Sequence, residues 1–290
     1  MATGLFLGLT TVDILNYVSH YPSSNEKLRA DQQLIFAGGP AANAAVAYSA
    51  FSGDVSLITG LGKQPLATLA VADLLRNNIK IVDLTDDDCK LPVLSAITVD
   101  TSTGDRSVVY TNTTNRGLVW PGEPADYLAY VSVLMLDGYY LKHACDLAEL
   151  AQRNNIPVIL DGGSWKEGLD RLLPHVDYAI CSENFIPPGC DGKRSVADFL
   201  SNAGVGNVCI SRGAQKMLAW SKGQYEEVSV EPVEVADTLG AGDILHGAFC
   251  HFIQKNDFFT SLKLASVVAT CSCKYRGTRK WIEHYRNTDR

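Results

Sequence analysis

From residue 124 onward, short apolar runs typical of β-strands alternate with segments typical of helices, and this alternation constrains the fold more than any other feature. The strand-like runs are residues 131–136, 157–160 and 176–180, and the helical segments between them end at Asn154 and lie near residues 167–173. Strands joined by crossover helices run parallel, and both faces of their sheet are covered. We therefore predict an α/β fold with a central, mainly parallel sheet flanked by helices.

Acidic residues follow these strands closely. Asp137 and Asp161 stand directly after two of the runs, and Glu183 comes shortly after residues 176–180. Ligands of open parallel sheets bind outside the carboxyl ends of the strands. These residues are therefore candidates for a site at that edge, although a turn or helix-capping role explains Asp161 equally well.

Length and charge limit the classes of function. With 290 residues, of which 46% are hydrophobic, the chain can bury a large core as one domain. Its net charge of −7 argues against non-specific binding to nucleic acid or to an anionic membrane, because both require a basic face. Basic residues concentrate only in residues 274–290, for which we expect a solvated C-terminal segment.

The cellular location is also constrained by what the sequence contains. It shows no charged and then apolar leader and no apolar run long enough to span a bilayer, which favours a cytoplasmic protein. Eight cysteines are scattered along the chain without Cys-x-x-Cys spacing. Several of them lie in apolar runs, so we expect reduced thiols.

The stretch Asp237-Thr-Leu-Gly-Ala-Gly-Asp243 joins a β-patterned run to an apolar segment of helical period. Its glycines permit a tight turn, so we expect a helix to begin at or just after Gly242. Backbone N–H groups of Gly240, Ala241 and Gly242, together with the positive end of the helix dipole, would form an anion hole. Asp243 would then lie in the first helical turn, where a carboxylate can accept a proton from a hydroxyl group. The alternative is a strand-to-helix turn that an aspartate stabilises.

A second pair of glycines precedes a helix near the start of the chain. Gly38 and Gly39 end a strand-like run, Pro40 suits the first turn of a helix, and an alanine-rich segment continues to about Phe51. Asn43 lies one turn into this segment. The alternative is that the glycines only end the strand before the helix begins.

Together, Gly38-Gly-Pro-Ala-Ala-Asn43 and Asp237-Thr-Leu-Gly-Ala-Gly-Asp243 resemble the two signatures of the ribokinase-like carbohydrate kinases, the PfkB family. The resemblance implies a ribokinase-like three-layer fold, with residues 1–290 as one kinase domain. It also implies a small β-sheet lid that is formed by about residues 12–36 and 91–113. The implied reaction transfers the γ-phosphoryl group of Mg·ATP to a hydroxyl of a small sugar or sugar derivative.

The resemblance assigns roles to individual residues. Asp243 would be the catalytic base, with Gly240, Ala241 and Gly242 as the anion hole. The implied substrate-binding residues are Asp13, Gly38, Gly39, Asn43, Arg106 and Asp137. The implied nucleotide-binding residues are Ser211, Gly213, Thr238, Gly240, Gly242 and Gly277. ATP and Mg2+ are the expected cofactors, and relatives carry a monovalent-cation site, such as one for K+, near a glycine like Gly277. A turn role for Asp13 and an exposed hairpin charge for Arg106 are the alternatives.

The chain departs from the family pattern in two places. The loop Gly60-Leu-Gly-Lys63 lacks both the family's usual residues and the spacing of a phosphate-binding P-loop. Where many members carry Asn-x-x-Glu and use the glutamate to organise magnesium through water, this chain has Ser182-Glu-Asn-Phe185, so Glu183 is the substitute candidate.

One branch of the family shares further residues with this chain. The branch that contains 6-deoxy-6-sulfofructose kinase has a similar Ser-Glu replacement, and the chain also resembles it in Gly-Ala-Gly-Asp-x-x-His-Gly-Ala. In that enzyme an arginine after the strand aspartate recognises the sulfonate. Here Gly138 follows Asp137, so we expect an acceptor other than a sulfosugar.

Two other functions fit the same residues. The acceptor could be a nucleoside or a vitamin-like alcohol, because this fold hosts several such kinases. The aromatic residue at Phe185 and the altered loop also fit a catalytically weak member that acts as a binding or scaffold protein. A small-molecule sugar is the expected partner, without nucleic acid or membrane, and the edges of the lid strands would allow a homodimer.

Overall fold

The computed structural model describes residues 3–51, 54–86, 91–111 and 117–288, and it arranges them in two β-sheets with helices around the larger one. The strands are β1 (Thr3–Leu7), β2 (Thr11–Val18), β3 (Gln32–Gly38), β4 (Asp54–Thr59), β5 (Ile79–Asp83), β6 (Val93–Asp100), β7 (Arg106–Tyr110), β8 (Val131–Leu136), β9 (Val158–Gly162), β10 (Tyr178–Ser182), β11 (Asn207–Arg212), β12 (Gln215–Ser221) and β13 (Gln224–Val228). The helices are α1 (Pro40–Ser49), α2 (Ala67–Arg76), α3 (Leu141–Arg153), α4 (Lys193–Asn202), α5 (Ala241–Phe252), α6 (Phe258–Ser272) and α7 (Lys280–Thr288).

The larger sheet contains nine strands in the order β13-β12-β11-β10-β9-β8-β1-β4-β5. Every neighbouring pair from β11 to β5 is parallel, and the pairs β11–β12 and β12–β13 are antiparallel. The predicted mainly parallel sheet is therefore confirmed. Since parallel strands end at the same edge, the residues after β1, β8, β9 and β10 lie side by side.

Apolar side chains fill both faces of the larger sheet. In β1, Phe6 packs into the core on one face, whereas Leu5 and Leu7 pack into the core on the other. Alternate residues of a strand point to opposite faces, so a strand buried on both sides is apolar throughout. Helices α1, α2, α5, α6 and α7 cover the first face, and α3 and α4 cover the second, which gives three layers. Among the residues that the structure describes, no helix is both long enough and apolar enough to cross a membrane.

The smaller sheet contains four strands in the order β3-β2-β6-β7. Its strands come from both segments that the sequence predicts for the lid, and residues 112 and 113 of the second segment lie outside the described residues. Leu239, from the predicted anion-hole stretch, packs against its apolar cluster. The buried members of that cluster are Leu15, Tyr17, Phe36, Ile97 and Val99. This sheet therefore adjoins the end of the molecule that carries the Gly-Ala-Gly stretch.

The sequence predicts a helix near residues 167–173, and the structure does not form an α-helix there. The chain there forms two short 3-10 turns, Leu169–Arg171 and Leu173–His175. Gly168 precedes them with a φ of 82°, and Pro174 cannot donate a backbone hydrogen bond, so a regular α-helix does not continue through this segment.

The expectation of a solvated C-terminal segment is also wrong. In α7, Trp281 is 0% exposed and Ile282 is 6% exposed. These two residues and Tyr285 pack on the first core. They recur at helical spacing between the charged residues, and this amphipathic pattern outweighs the basic composition of the segment.

Candidate active site

The Gly-Ala-Gly stretch builds an open helix N-terminus. Gly240 precedes α5 with a φ of 69°, and a Cβ atom there would lie 2.6 Å from Thr278 Cγ2. A glycine is therefore required on both conformational and steric grounds. The amides of Gly242 and Asp243 donate to no acceptor in the part of the chain that the structure describes. These two amides are available to an anion, and the helix begins at Ala241. The sequence predicts the amides of Gly240, Ala241 and Gly242 for this role, but Ala241 N already donates to Thr238 O at 3.3 Å.

Asp243 lies in the first turn of α5, as predicted, and its Oδ2 accepts a hydrogen bond of 2.8 Å from Asn43 Nδ2. Desolvation by the surrounding protein, followed by the nearby charge of Asp161, raises the pKa of Asp243 to about 7. The hydrogen bond from Asn43 and the charge of His246 act in the opposite direction on this pKa. A carboxylate with a pKa near neutrality is suited to general base catalysis.

Arg279 determines how Asn43 is oriented. Its Nη1 donates to Asn43 Oδ1 at 2.9 Å and to Thr278 Oγ1 at 2.8 Å. Its Nη2 donates to Ala37 O at 2.6 Å and to Asp73 Oδ2 at 2.9 Å, and the arginine side chain is only 15% exposed. Because the amide oxygen of Asn43 faces Arg279, its NH2 group must face Asp243.

Asp13 and the glycine pair pack directly against each other. Asp13 is 6% exposed and accepts a hydrogen bond from Thr11 Oγ1, and burial raises the pKa of its carboxyl group. A Cβ atom on Gly38 would lie 1.9 Å from Asp13 Oδ2. Gly39 has a φ of 92°, and a Cβ atom there would lie 2.3 Å from Leu9 O. The predicted residues Asp13, Gly38, Gly39 and Asn43 thus occupy one cluster next to Asp243.

Asp137 lies in the same region but is engaged by the backbone. It is 2% exposed and accepts hydrogen bonds from Leu9 N at 2.8 Å, Tyr139 N at 3.0 Å and Ala41 N at 3.2 Å. Burial raises the pKa of Asp137 to about 6. These contacts connect the segment after β1 to the first turn of α1, and the predicted sugar contact of Asp137 stays a prediction.

Two contacts join the smaller sheet to the loop before α5. Arg106, on β7, donates from Nη1 to Thr238 Oγ1. Tyr17, on β2, donates to Asp237 Oδ2, which also accepts from Gly277 N at 2.9 Å. Asp237 is 3% exposed. Three residues predicted for the ligand sites, Arg106, Thr238 and Gly277, therefore lie around one structural junction.

The predicted nucleotide-side residues Ser211 and Gly213 lie at the end of β11. Ser211 Oγ donates to Cys181 O on the adjacent strand at 3.3 Å. Gly213 has a φ of 58°, and a Cβ atom there would have no neighbour within 4 Å. This open backbone beside the end of β10 leaves room for a ligand to approach closely.

The two departures from the family pattern have structural explanations. Phe185 is 1% exposed and packs on Trp165, with ring centroids 5.6 Å apart, so this position belongs to the core. Glu183 forms an ion pair of 3.9 Å with Lys193, and the described residues contain no group of His, Cys, Asp and Glu side chains that could hold a metal by itself. In the 60–67 loop, Asp83 accepts from Leu61 N at 3.0 Å and Gly62 N at 2.9 Å, so these amides are not free for a phosphate.

Comparison with known proteins identifies the family. A model described as the pfkB family carbohydrate kinase matches residues 5–284. The chain belongs to this family. Deoxyribokinase of Salmonella typhimurium is 25% identical over 293 residues, covering 94% of this chain and 93% of that protein. Fructoselysine 6-kinase of Escherichia coli is 25% identical over 266 residues, covering 90% of this chain and 96% of that protein.

Solved structures show the same fold. The structure of Arabidopsis thaliana ribokinase complexed with ribose and ATP matches with a TM-score of 0.74 at 18% identity, covering 98% of this chain and 98% of that chain. The predicted family, the ribokinase-like α/β fold and the enzyme class of carbohydrate kinase are therefore confirmed. The narrower resemblance to the sulfofructose-kinase branch stays a prediction.

Sequence reasoning did not single out two residues that the structure places in the candidate site. Asp237 is the first residue of the C-terminal signature, and its position there was the available signal. Arg279 lies in the basic C-terminal stretch, where only the buried apolar face of the following helix would have indicated an inward-facing charge.

Proposed function

We propose that this pfkB kinase transfers the γ-phosphoryl group of Mg·ATP to a hydroxyl of a small sugar or sugar derivative. The observation that carries the proposal is the hydrogen bond between Asn43 and Asp243 beside the free amides of Gly242 and Asp243. This arrangement places a proton acceptor and an anion hole in the first turn of α5, next to Asn43 of α1 as a polar contact for the acceptor sugar. Phosphoryl transfer needs this combination, because its catalysis rests on positioning and on stabilising charge.

In this mechanism Asp243 accepts the proton of the attacking hydroxyl. Asp13 and the NH2 group of Asn43 hold the sugar so that this hydroxyl points toward the phosphoryl group. The amides of Gly242 and Asp243 stabilise the charge on the transferring group, together with the positive end of α5. Ala241 and Gly240 contribute the turn that exposes these amides.

ATP is proposed to bind along the ends of β10 and β11. Open backbone at Gly213 and Gly242 supports this placement, with Ser211, Thr238 and Gly277 as further contacts. Mg2+ keeps several waters and binds substrate phosphates, and when bound it neutralises phosphate charge. Glu183, just after β10, would reach such a cation through water, since its contact with Lys193 is long at 3.9 Å. We include K+ near Gly277 on the resemblance alone, and initial rates in K+ and in tetramethylammonium test it.

We propose that the smaller sheet is a lid, formed by the strands of residues 11–38 and 93–110 within one kinase domain. The Arg106–Thr238 and Tyr17–Asp237 contacts support this role, because they join the sheet to the loop that leads into the anion hole. A closed lid would exclude water and so suppress ATP hydrolysis.

A homodimer through the outer face of this lid is part of the proposal. Ile35, Ile14, Ala96 and Val109 are paired in register across all four strands, and Val109 is 72% exposed. A continuous apolar row on an exposed face favours burial against a second surface. Sedimentation of Val109→Lys against Thr103→Lys, a control in the hairpin turn, tests this: only the first should shift the protein to monomer.

The proposed activity is tested by product formation from Mg·ATP across hexoses, ketoses, pentoses, sugar phosphates and nucleosides. The relatives named deoxyribokinase and fructoselysine 6-kinase argue for including deoxyribose and fructosamines. Asp243→Asn should keep folding and ATP binding yet lose about a thousandfold or more in turnover, since general bases and their electrostatic setting contribute this much. Asp198→Asn, in an exposed ion pair with Arg194, is the matched control.

The outcomes separate the candidate functions. Phosphorylation of a sugar by the wild type but not by Asp243→Asn supports the proposal. Phosphorylation of a nucleoside alone would replace the acceptor class, and ATP binding without turnover on any acceptor would favour a binding or scaffold role. Near-normal turnover of Asp243→Asn would overturn the assignment of the base.

A further inference from the structure

His246 lies one turn after Asp243 on α5, and hydrogen-bond acceptors lie close to both of its ring nitrogens. It is 4% exposed. Its Nδ1 is 2.7 Å from Gly242 O, and its Nε2 is 2.9 Å from Ile180 O on β10. A carbonyl oxygen only accepts hydrogen bonds, so each ring nitrogen must donate. A neutral imidazole has only one N–H group and would direct a lone pair at a carbonyl oxygen. The geometry is therefore that of an imidazolium cation.

Asp161, at the end of β9, supplies the counter-charge. Its Oδ2 is 3.4 Å from His246 Nδ1, and the two side chains are 7% and 6% exposed. Burial, and to a lesser extent the charge of Asp161, raises the pKa of the Cys181 and Cys250 thiols, which keeps them neutral. The histidine cation and the Asp161 carboxylate thus form a buried pair beneath the anion hole. Removing one member of such a pair would leave the other charge uncompensated.

We propose that His246 is a charged positioning residue which, paired with Asp161, holds the Gly242–Asp243 peptide in place and keeps Asp243 ionised for catalysis. This inference rests on the proposed function, because it assumes that Asp243 is the base. His246 touches Gly242 O, which belongs to the peptide whose N–H is the Asp243 amide of the anion hole. The same ring reaches β10 and so fixes α5 against the sheet.

The ionisation of Asp243 depends on the charges and hydrogen bonds around it. Asp161 on β9 and Asp13 on β2 disfavour ionisation of Asp243, whereas His246 on α5 and the hydrogen bond from Asn43 on α1 favour it. Arg279 is connected to Asp243 through Asn43, to which it donates a hydrogen bond. His246 is thus the cation on the same helix as the base. Replacing it with a neutral residue removes a favourable charge, so the pKa of Asp243 rises and the acidic limb of kcat/KM moves to higher pH.

The first experiment reads the protonation state directly. Heteronuclear NMR of the full chain, labelled on histidine, reports each ring nitrogen separately. We expect both nitrogens of His246 to carry protons at neutral pH. His251, on the same helix, serves as the internal control, since burial lowers the pKa of its ring and favours the neutral form. An unprotonated nitrogen on His246 at neutral pH overturns the proposal, whatever the activity of the protein.

The second experiment measures the pH profile of kcat/KM for His246→Gln, with His251→Gln as the matched control. We expect the acidic limb of His246→Gln to move up by about one pH unit, which is about a tenfold loss below the limb. A role in packing alone would lower activity at all pH values without moving the limb, and that result would overturn the proposal.

Asp161→Asn is an independent test of the same pair. It remains available if His246→Gln does not fold. Loss of the counter-charge should leave one ring nitrogen of His246 without a proton at neutral pH, as seen by NMR. Two protonated nitrogens in this variant would show that Asp161 is not the partner of His246. If wild-type protein phosphorylates no acceptor, the proposed function fails, while the NMR measurement still decides the charge of His246.

Discussion

Asn43 Nδ2 lies 2.8 Å from Asp243 Oδ2, although the two residues are 200 positions apart in the chain. The glycine-bearing motifs of α1 and α5 therefore meet in one hydrogen bond. Asn43 Oδ1 is held by Arg279, so the amide cannot turn over without breaking two contacts. The NH2 group of Asn43 has a second hydrogen, which remains for a sugar hydroxyl. In the proposed mechanism, this one side chain orients both the base and the acceptor.

The pH dependence of catalysis should report the ionisation of Asp243. Burial and the charge of Asp161 raise the pKa of Asp243 to about 7, and the group must be ionised to accept a proton. Activity is therefore present above this pKa, and kcat/KM should fall about tenfold per pH unit as the pH drops through it. ATP binding measured over the same range controls for effects on folding and on the nucleotide. A profile that stays flat down to pH values near an ordinary aspartate pKa would contradict the assignment.

Arg279→Ala should reduce both stability and catalysis. The variant leaves Asp73 without its ion-pair partner and frees Asn43 to rotate away from Asp243. We expect a loss of about 2–3 kcal/mol in the free energy of unfolding, at the lower end for a broken buried pair because both side chains keep some exposure. Chemical denaturation measures this loss, and kcat of the folded fraction should also fall.

The matched control for Arg279 is Arg153→Ala. Arg153 forms an exposed ion pair with Glu149 in α3, its side chain is 68% exposed, and pairs of this kind contribute less than about 1 kcal/mol. Equal losses for the two variants would show that the contacts of Arg279 do not stabilise the fold. Normal kcat in Arg279→Ala would show that Asn43 keeps its orientation without the arginine.

Gly38→Ala should disrupt the sugar side of the site. The added Cβ atom would lie 1.9 Å from Asp13 Oδ2, and Asp13 is too deeply buried to move without cost. We expect KM for the acceptor to rise at least about tenfold, together with a loss of about 1–3 kcal/mol in unfolding free energy from overpacking. In Gly192→Ala the new Cβ atom meets nothing within 4 Å, so this variant should behave almost as wild type. Similar kinetics for both variants would argue against a tight Asp13–Gly38 contact.

The sequence predicts those features that depend on local pattern. Alternating strands and helices indicate the parallel sheet, and the glycines at Gly38, Gly39 and Gly240 indicate where backbone conformation or close approach excludes a side chain. The location of Asp243 in the first turn of a helix is predicted from the sequence in the same way. These features are encoded within short segments, so they can be derived without knowing which segments meet.

The remaining features depend on contacts between distant segments. Arg279 reaches Ala37, Asn43 and Asp73, which no local pattern connects to it. Likewise, nothing in the sequence around His246 shows that Ile180 O will lie beside its ring. The basic composition of residues 274–290 led to the wrong expectation of a solvated segment for the same reason. The burial of Trp281 depends on the core that α7 covers, which composition does not reveal.

Arg106→Ala should uncouple the proposed lid from the loop that leads into the proposed anion hole. Arg106 projects from β7 to Thr238 Oγ1, two residues before Gly240, so its loss removes a contact that joins the two parts. Tyr17–Asp237 remains, and the lid should therefore close less completely rather than fail to form. We expect KM for the acceptor to rise about threefold to tenfold, and a larger fraction of the ATP to be hydrolysed without transfer, because water enters a site that is incompletely closed. Parallel assays of ADP release and of sugar phosphate formation measure the ratio of ATP hydrolysed to sugar phosphorylated. Ser107→Ala, at the adjacent outward position of β7, should leave the ratio unchanged, and an unchanged ratio in Arg106→Ala itself would show that closure does not depend on this contact.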